Sequence, residues 1–105
     1  MSVDLDAVFE ALADPTRRDI FERIVIRPRR IVDLSADAPV SRPAVSQAVR
    51  FLRDADLVCE RGGALHAIAE TLPFMRLYFD RLWLEASLGD AWLSRRRLET
   101  QDFGL

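Results

Sequence analysis

The sequence predicts a mainly α-helical fold of about five helices carrying one short two-stranded β-hairpin, and three observations lead there. Apolar residues recur at spacings of three and four through most of the chain, the period of a helix with one buried face. Two proline-bearing helix starts, Asp14-Pro15 and Ser41-Arg42-Pro43, punctuate that pattern. The pattern is interrupted around Gly62-Gly63, where two short runs flank a dipeptide suited to a tight hairpin turn. The 105 residues leave room for one domain, 1–105, with a single core.

Each element has a local cause. Leu5, Val8, Phe9 and Leu12 lie on one face of a first helix, Leu5 to Ala13. Asp14 then caps a second helix with Pro15 at its first position, and Ile20, Phe21, Ile24 and Val25 form its buried side as far as Ile26. Arg27-Pro28-Arg29-Arg30 ends it as a basic connector. A short third helix, near Ile31 to Ala36, leads through Asp37-Ala38-Pro39 to a fourth that Ser41 caps. Val45, Val49, Leu52 and Ala55, with Ala48 beside them, mark its buried stripe. The opposite side carries Arg42, Ser46, Gln47, Arg50, Arg53 and Asp54. Two strands, Leu57 to Arg61 and Ala64 to Ile68, follow at once. Two short helices joined by a turn of about four residues and followed by a hairpin form a winged helix-turn-helix. Leu72-Pro73 opens a last helix, about 73–98, where Gly89-Asp90 marks a kink or a split.

Fourteen of the twenty-two residues from Leu72 to Leu93 are apolar, among them Phe74, Tyr78, Phe79, Trp83 and Trp92. One face packed on a small domain cannot use so many, so the pattern asks for a second copy of the chain. Core of such a dimer is one use of the aromatic stripe; lining an effector pocket is another. Arg76, Asp80, Arg81, Glu85 and Asp90 interrupt the stretch and exclude a membrane span. The first six residues are polar and acidic, unlike a secretory signal. A cytoplasmic location is the expectation.

The net charge is −2, yet its distribution is uneven. Every basic residue is arginine. Arg27, Arg29, Arg30, Arg42, Arg50 and Arg53 outweigh Asp33 and Asp37 between positions 27 and 53, a local +4. Within a screening length of about 10 Å such a patch attracts phosphates whatever the overall charge. Arginine reads guanine bidentately and glutamine pairs with adenine, so Arg42 and Gln47 are the expected base readers. Ser46 suits a base edge or a phosphate, Arg50 and Arg53 suit phosphates, and the helix start at Ser41 and Pro43 favours an anion. Arg61 is the wing's basic candidate. An ordinary solvated helix face would also present Arg, Ser and Gln; the preceding helix and following hairpin favour double-stranded DNA. Arg17 and Arg18 either touch phosphates or pair with Asp14 and Asp19. Arg27, Arg29 and Arg30 could steer DNA from the side.

The stretch Phe9-Glu10-Ala11-Leu12-Ala13-Asp14-Pro15-Thr16-Arg17-Arg18 resembles the opening of ArsR-type winged-helix repressors. So does Val40-Ser41-Arg42-Pro43-Ala44-Val45-Ser46-Gln47 with Val49, Leu52 and the exit Ala55-Asp56-Leu57-Val58. The likeness runs from about Val8 to Leu98. It implies a homodimeric regulator that joins through its first and last helices, here Leu5, Phe9 and Leu12 with Phe74, Tyr78, Phe79, Leu82 and Trp83. It also implies two recognition helices entering successive major grooves of an imperfect palindrome. Thiophilic-metal sensors of the family carry a cysteine pair where this chain reads Ile31-Val32-Asp33-Leu34-Ser35, and the family's other metal site uses histidine on a last helix that has none here. Many members hold a histidine where Ala48 stands, and the wing is short of basic residues.

The remaining chemistry is sparse. Cys59 is the one cysteine and His66 the one histidine, which leaves no metal-ligand cluster and no cofactor site. A half-buried lone cysteine behaves as a small hydrophobe, with a redox role open only if a second subunit supplies a partner. No nucleophile–base pair or phosphate loop is present, so no enzyme is expected. An effector, if any, is not specified. A protein-interaction module of antitoxin or anti-regulator type, built on the same scaffold with weak DNA affinity, is the rival reading. Its support is the isoelectric point of 5.3, Ala48 and the depleted wing.

Overall fold

A computed structural model describes the backbone of residues 3–100 and the side chains of residues 3–89. The chain forms α1 (Leu5–Ala13), α2 (Pro15–Ile26), α3 (Ile31–Asp37), α4 (Arg42–Asp54), β1 (Val58–Arg61), β2 (Ala64–Ala67), a 3-10 turn (Ala69–Thr71) and α5 (Leu72–Thr100). It divides into two compact units, Met1–Phe74 and Met75–Leu105.

Three helix starts carry the caps their sequences call for. The Asp4 carboxylate accepts the Ala7 N–H, Asp14 accepts that of Arg17 at 3.0 Å, and the Ser41 hydroxyl accepts that of Ala44 at 3.3 Å. The core of the first unit collects Val8 and Ala11 from α1, Ile20 and Ile24 from α2, and Leu34 from α3. Val45, Val49 and Leu52 join them from α4, and Leu57, Val58 and Leu65 from the hairpin and its approach. Val25, expected on the buried side of α2, is instead 48% exposed. Ile24 in the same turn is 1% exposed, so Val25 lies at the edge of the buried stripe and not within it.

The end of α4 is fixed by backbone geometry. Asp56 adopts a left-handed conformation (φ 59°), which lets the Asp56 N–H reach the Arg53 carbonyl and the Leu57 N–H reach that of Leu52. The buried Thr71 hydroxyl donates to the Asp56 carbonyl at 2.6 Å, so the residues entering α5 brace this exit.

β1 and β2 pair antiparallel, with Cys59 opposite His66 and Arg61 opposite Ala64. Gly62 (φ 59°) and Gly63 (φ 79°) both take positive φ, the requirement of the two-residue turn whose twist matches the strands. Each strand is one residue shorter at its outer end than the sequence suggests. Arg29 adds a one-residue rung on the other side of β2: its N–H donates to the Leu65 carbonyl at 3.1 Å and its carbonyl accepts the Leu65 N–H at 2.7 Å.

α5 runs without interruption through Gly89-Asp90, where the sequence suggested a kink or split. One interior glycine costs about 1 kcal/mol, which a helix with turns on both sides absorbs. Among its described side chains Leu77, Phe79, Trp83, Leu84 and Leu88 are all more than half exposed. Tyr78 packs edge-on against Phe79 (5.6 Å between ring centroids), with the Arg81 guanidinium 5.5 Å from the Tyr78 ring. Trp92 lies outside the described side chains.

Candidate nucleic-acid interface

α3 and α4 are joined by Ala38 to Ser41, the short turn of a helix-turn-helix. The buried stripe of α4 fixes which side faces outward. Arg42, Ser46, Arg50 and Arg53 follow one another at steps of four, four and three. Pro43 and Gln47 lie beside them, and all six, with Ser41, are exposed. The face is flanked by two grooves. One, of about 530 Å³, separates α4 from the start of α2 and is lined by Thr16, Gln47, Arg50 and Phe51. The other lies between Ile31 and the Ser46–Arg53 edge.

Charge pairing separates this face from the other arginines. Among the described residues Arg42, Arg50 and Arg53 have no ion-pair partner, whereas Arg23 pairs with Asp19, Arg29 with Asp37 and Arg30 with Asp33. The local excess of positive charge is therefore concentrated on α4 and on the exposed Arg27. Arg29 and Arg30, expected to steer DNA from the side, each face a carboxylate. Arg29 is mostly buried against Asp37 (side chain 12% exposed) and its Nε has no partner, while Arg30 turns back to Asp33 at 3.5 Å.

Among the described residues Arg17 and Arg18 make no ion pair with Asp14 or Asp19, and turn instead to backbone oxygens. Arg17 donates from Nε to the Ala11 carbonyl at 2.9 Å and from Nη2 to the Glu10 carbonyl at 2.8 Å. Arg18 donates from Nη1 to the Leu12 carbonyl at 2.8 Å. The last turn of α1 leaves these oxygens without helical partners, and the two guanidinium groups satisfy them. The Arg17 guanidinium also lies 4.0 Å from the centroid of the Phe51 ring. Phe51 was missed in the sequence, although a large aromatic beside Arg50, off the buried stripe of α4, is the signal that could have found it.

On the hairpin Arg61 is exposed near the turn, and its Nη2 lies 3.4 Å from Nδ1 of His66. Cys59 is half-buried. Among the described residues no three His, Cys, Asp or Glu side chains come together as a metal site, and no helix is long and apolar enough to cross a membrane. In α1, Leu5, Phe9 and Leu12 are half-buried. Farther along, Phe74 and Leu82 are each 39% exposed, Phe79 52% and Trp83 69%, with Tyr78 between buried and exposed.

A helix pair whose second member presents unpaired arginines, followed at once by a two-stranded wing, defines a winged helix-turn-helix protein of the DNA-binding class. Comparison with known proteins narrows this. The family model described as "Bacterial regulatory protein, arsR family" matches residues 14–59. The chain is 41% identical over 92 residues to the HTH-type transcriptional regulator Rv2034 of Mycobacterium tuberculosis, covering 84% of this chain and 86% of that one. Its fold matches the ArsR-like transcriptional regulator from Rhodococcus sp. RHA1 (TM-score 0.76, 25% identity, 87% of this chain and 90% of that one). It also matches a structure described as a possible transcriptional regulator for arsenical resistance (TM-score 0.60, 30% identity, 78% and 93%). The chain belongs to the ArsR family. It is a DNA-binding transcription regulator, and the relatives it matches are regulators rather than enzymes.

Proposed function

We propose that the chain is a repressor that occupies an imperfect palindrome as a homodimer, without a metal cofactor, in the cytoplasm. The observation that carries the reading is the outer face of α4, where Arg42, Arg50 and Arg53 stand exposed and, among the described residues, without an ion-pair partner. Isolated cations at one surface are attracted to the phosphate backbone, and the exposed start of a helix can enter the major groove. In this reading Arg42 and Gln47 read base edges. Ser41, Pro43 and Ser46 seat the helix start, and Arg50, Arg53 and Arg61 hold phosphates. Arg42→Ala is expected to cost about 1–3 kcal/mol on the preferred duplex and to relax sequence choice, whereas Arg50→Ala weakens every duplex alike. Competition titrations with single-base variants of the duplex distinguish the two. Selection of bound sequences from a random DNA library tests the reading as a whole: an enriched two-part motif supports it, and no enrichment overturns it.

The dimer is assigned to Leu5, Phe9 and Leu12 of α1 together with Phe74, Tyr78, Phe79, Leu82 and Trp83. Its support is the breadth of apolar surface on α5, since large exposed apolar patches are rare on monomers. Trp83→Glu is expected to shift the sedimenting species from dimer toward monomer. An unchanged dimer would move the interface elsewhere. The metal-free state is supported by an α3 without cysteine, and stoichiometric tight binding in a metal titration would reverse it. A protein-interaction role remains the rival, favoured by the acidic isoelectric point of 5.3 and by Arg61 leaning on His66. A gel shift with the selected duplex at low and moderate salt separates the two.

A further inference from the structure

We infer that Arg17 is a positioning residue for DNA recognition: by tying the end of α1 to Phe51 it fixes the roll of α4 about its axis, and so the aim of Arg42 and Gln47. The inference rests on the DNA-binding reading above and adds a residue that touches no DNA.

Arg17 joins three helices, sitting on α2 with its guanidinium reaching α1 and α4. Its own backbone N–H is held by the Asp14 carboxylate at the start of α2. Its Nε and Nη2 are spent on the Ala11 and Glu10 carbonyls, the negative end of the α1 dipole. Its face lies 4.0 Å from the Phe51 ring centroid on α4. A cation this close to an aromatic face is attracted by the ring quadrupole, and the contact depends on orientation. On its inner side Val45, Val49 and Leu52, between 0% and 2% exposed, hold α4 by close packing, and the stack adds an oriented restraint at the edge nearest the reading face.

Sequence spacing links the stack to the reading face. Phe51 lies one turn beyond Gln47 on the same row of α4, so a roll that displaces the ring displaces Gln47 by the same angle. With side-chain tips about 6 Å from the helix axis, a roll of about 10° moves them by about 1 Å. Bidentate base contacts tolerate about half of that. A loosened stack therefore harms base reading well before it unfolds the helix.

The test compares Arg17→Lys, Phe51→Leu, their double variant and Phe51→Tyr. Each is titrated by fluorescence anisotropy against the duplex selected by the wild type and against an unrelated duplex of equal length. Circular dichroism sets a temperature at which all are folded. Arg17→Lys keeps the charge but loses the planar fork, and Phe51→Leu leaves the α1 carbonyl contacts untouched, so it carries the test should Arg17→Lys fail to fold. The expected result is a loss of about tenfold on the selected duplex for either single variant, with the unrelated duplex unchanged. The double variant should be no worse than the singles, and Phe51→Tyr should bind as the wild type does. Equal weakening on both duplexes, with a shallower salt dependence, would show that Arg17 holds a phosphate itself. Unchanged DNA binding with only a lower melting temperature would reduce it to a structural clamp. Either result overturns the inference while leaving the DNA reading intact, whereas a wild type that selects no duplex overturns that reading first and the inference with it.

Discussion

Raising the salt concentration from 50 to 200 mM is expected to weaken binding to the selected duplex by about a thousandfold. In the proposed dimer Arg50, Arg53 and Arg61 of each copy bring about six cations to phosphates. Each phosphate neutralised contributes about −0.9 to the slope of log affinity against log salt. Six give a slope near −5, and a fourfold rise in salt then removes about three decades of affinity. Anisotropy titrations at four salt concentrations measure it directly. The effect depends on the arginines being free: had Arg50 and Arg53 been paired as Arg23, Arg29 and Arg30 are, the phosphates would have had to displace those carboxylates to gain the same contacts. A slope of −1 or −2 would mean that the outward face of α4 does not meet a phosphate backbone.

Replacing Leu52 by alanine is expected to lower the free energy of unfolding by about 2–5 kcal/mol, a large share of the stability of a domain this size. Leu52 is 0% exposed and belongs to the helix that bears the reading face. Its carbonyl also accepts the Leu57 N–H that ends α4. Removing its side chain leaves a void bounded by elements already fixed by their own caps, so little collapse is available to fill it. Urea unfolding should show a lower midpoint with an unchanged slope. A loss below about 1 kcal/mol would show that the surrounding helices close over the gap. Arg50→Ala, on the exposed side of the same helix, should change stability by no more than about 0.5 kcal/mol.

What could be read from the chain alone follows the range of the forces involved. Asp14-Pro15 and Ser41 mark their helices because a cap acts within three residues, and both are found in place. The hairpin turn is equally local, needing only Gly62 and Gly63. The outward side of α4 follows from the spacing of Val45, Val49 and Leu52. Features that join distant segments were not visible. The rung between Arg29 and Leu65 spans 36 positions and has no residue signature, since any backbone can form it. The basic connector at 27–30 looked like a phosphate-facing run because charge in a sequence does not show its partners; Asp33 and Asp37 take up two of its arginines. Arg17 and Arg18 looked like surface charges for the same reason. Their partners are backbone oxygens, which every residue carries and no sequence pattern distinguishes.

The extra rung at Arg29 bears on how such a wing could change over time. A lone two-stranded ribbon is marginal in water, and its alignment slips easily. Here the ribbon is stitched to the segment leaving α2 at Leu65, one pair from the turn, and Val58 and Leu65 are sunk into the core. Alignment is therefore set within the strands, just below the loop at Gly62-Gly63, which inherits it. Residues inserted between Arg61 and Ala64 would lengthen the arm without disturbing what lies below, so reach along a duplex can be altered by changing the tip alone.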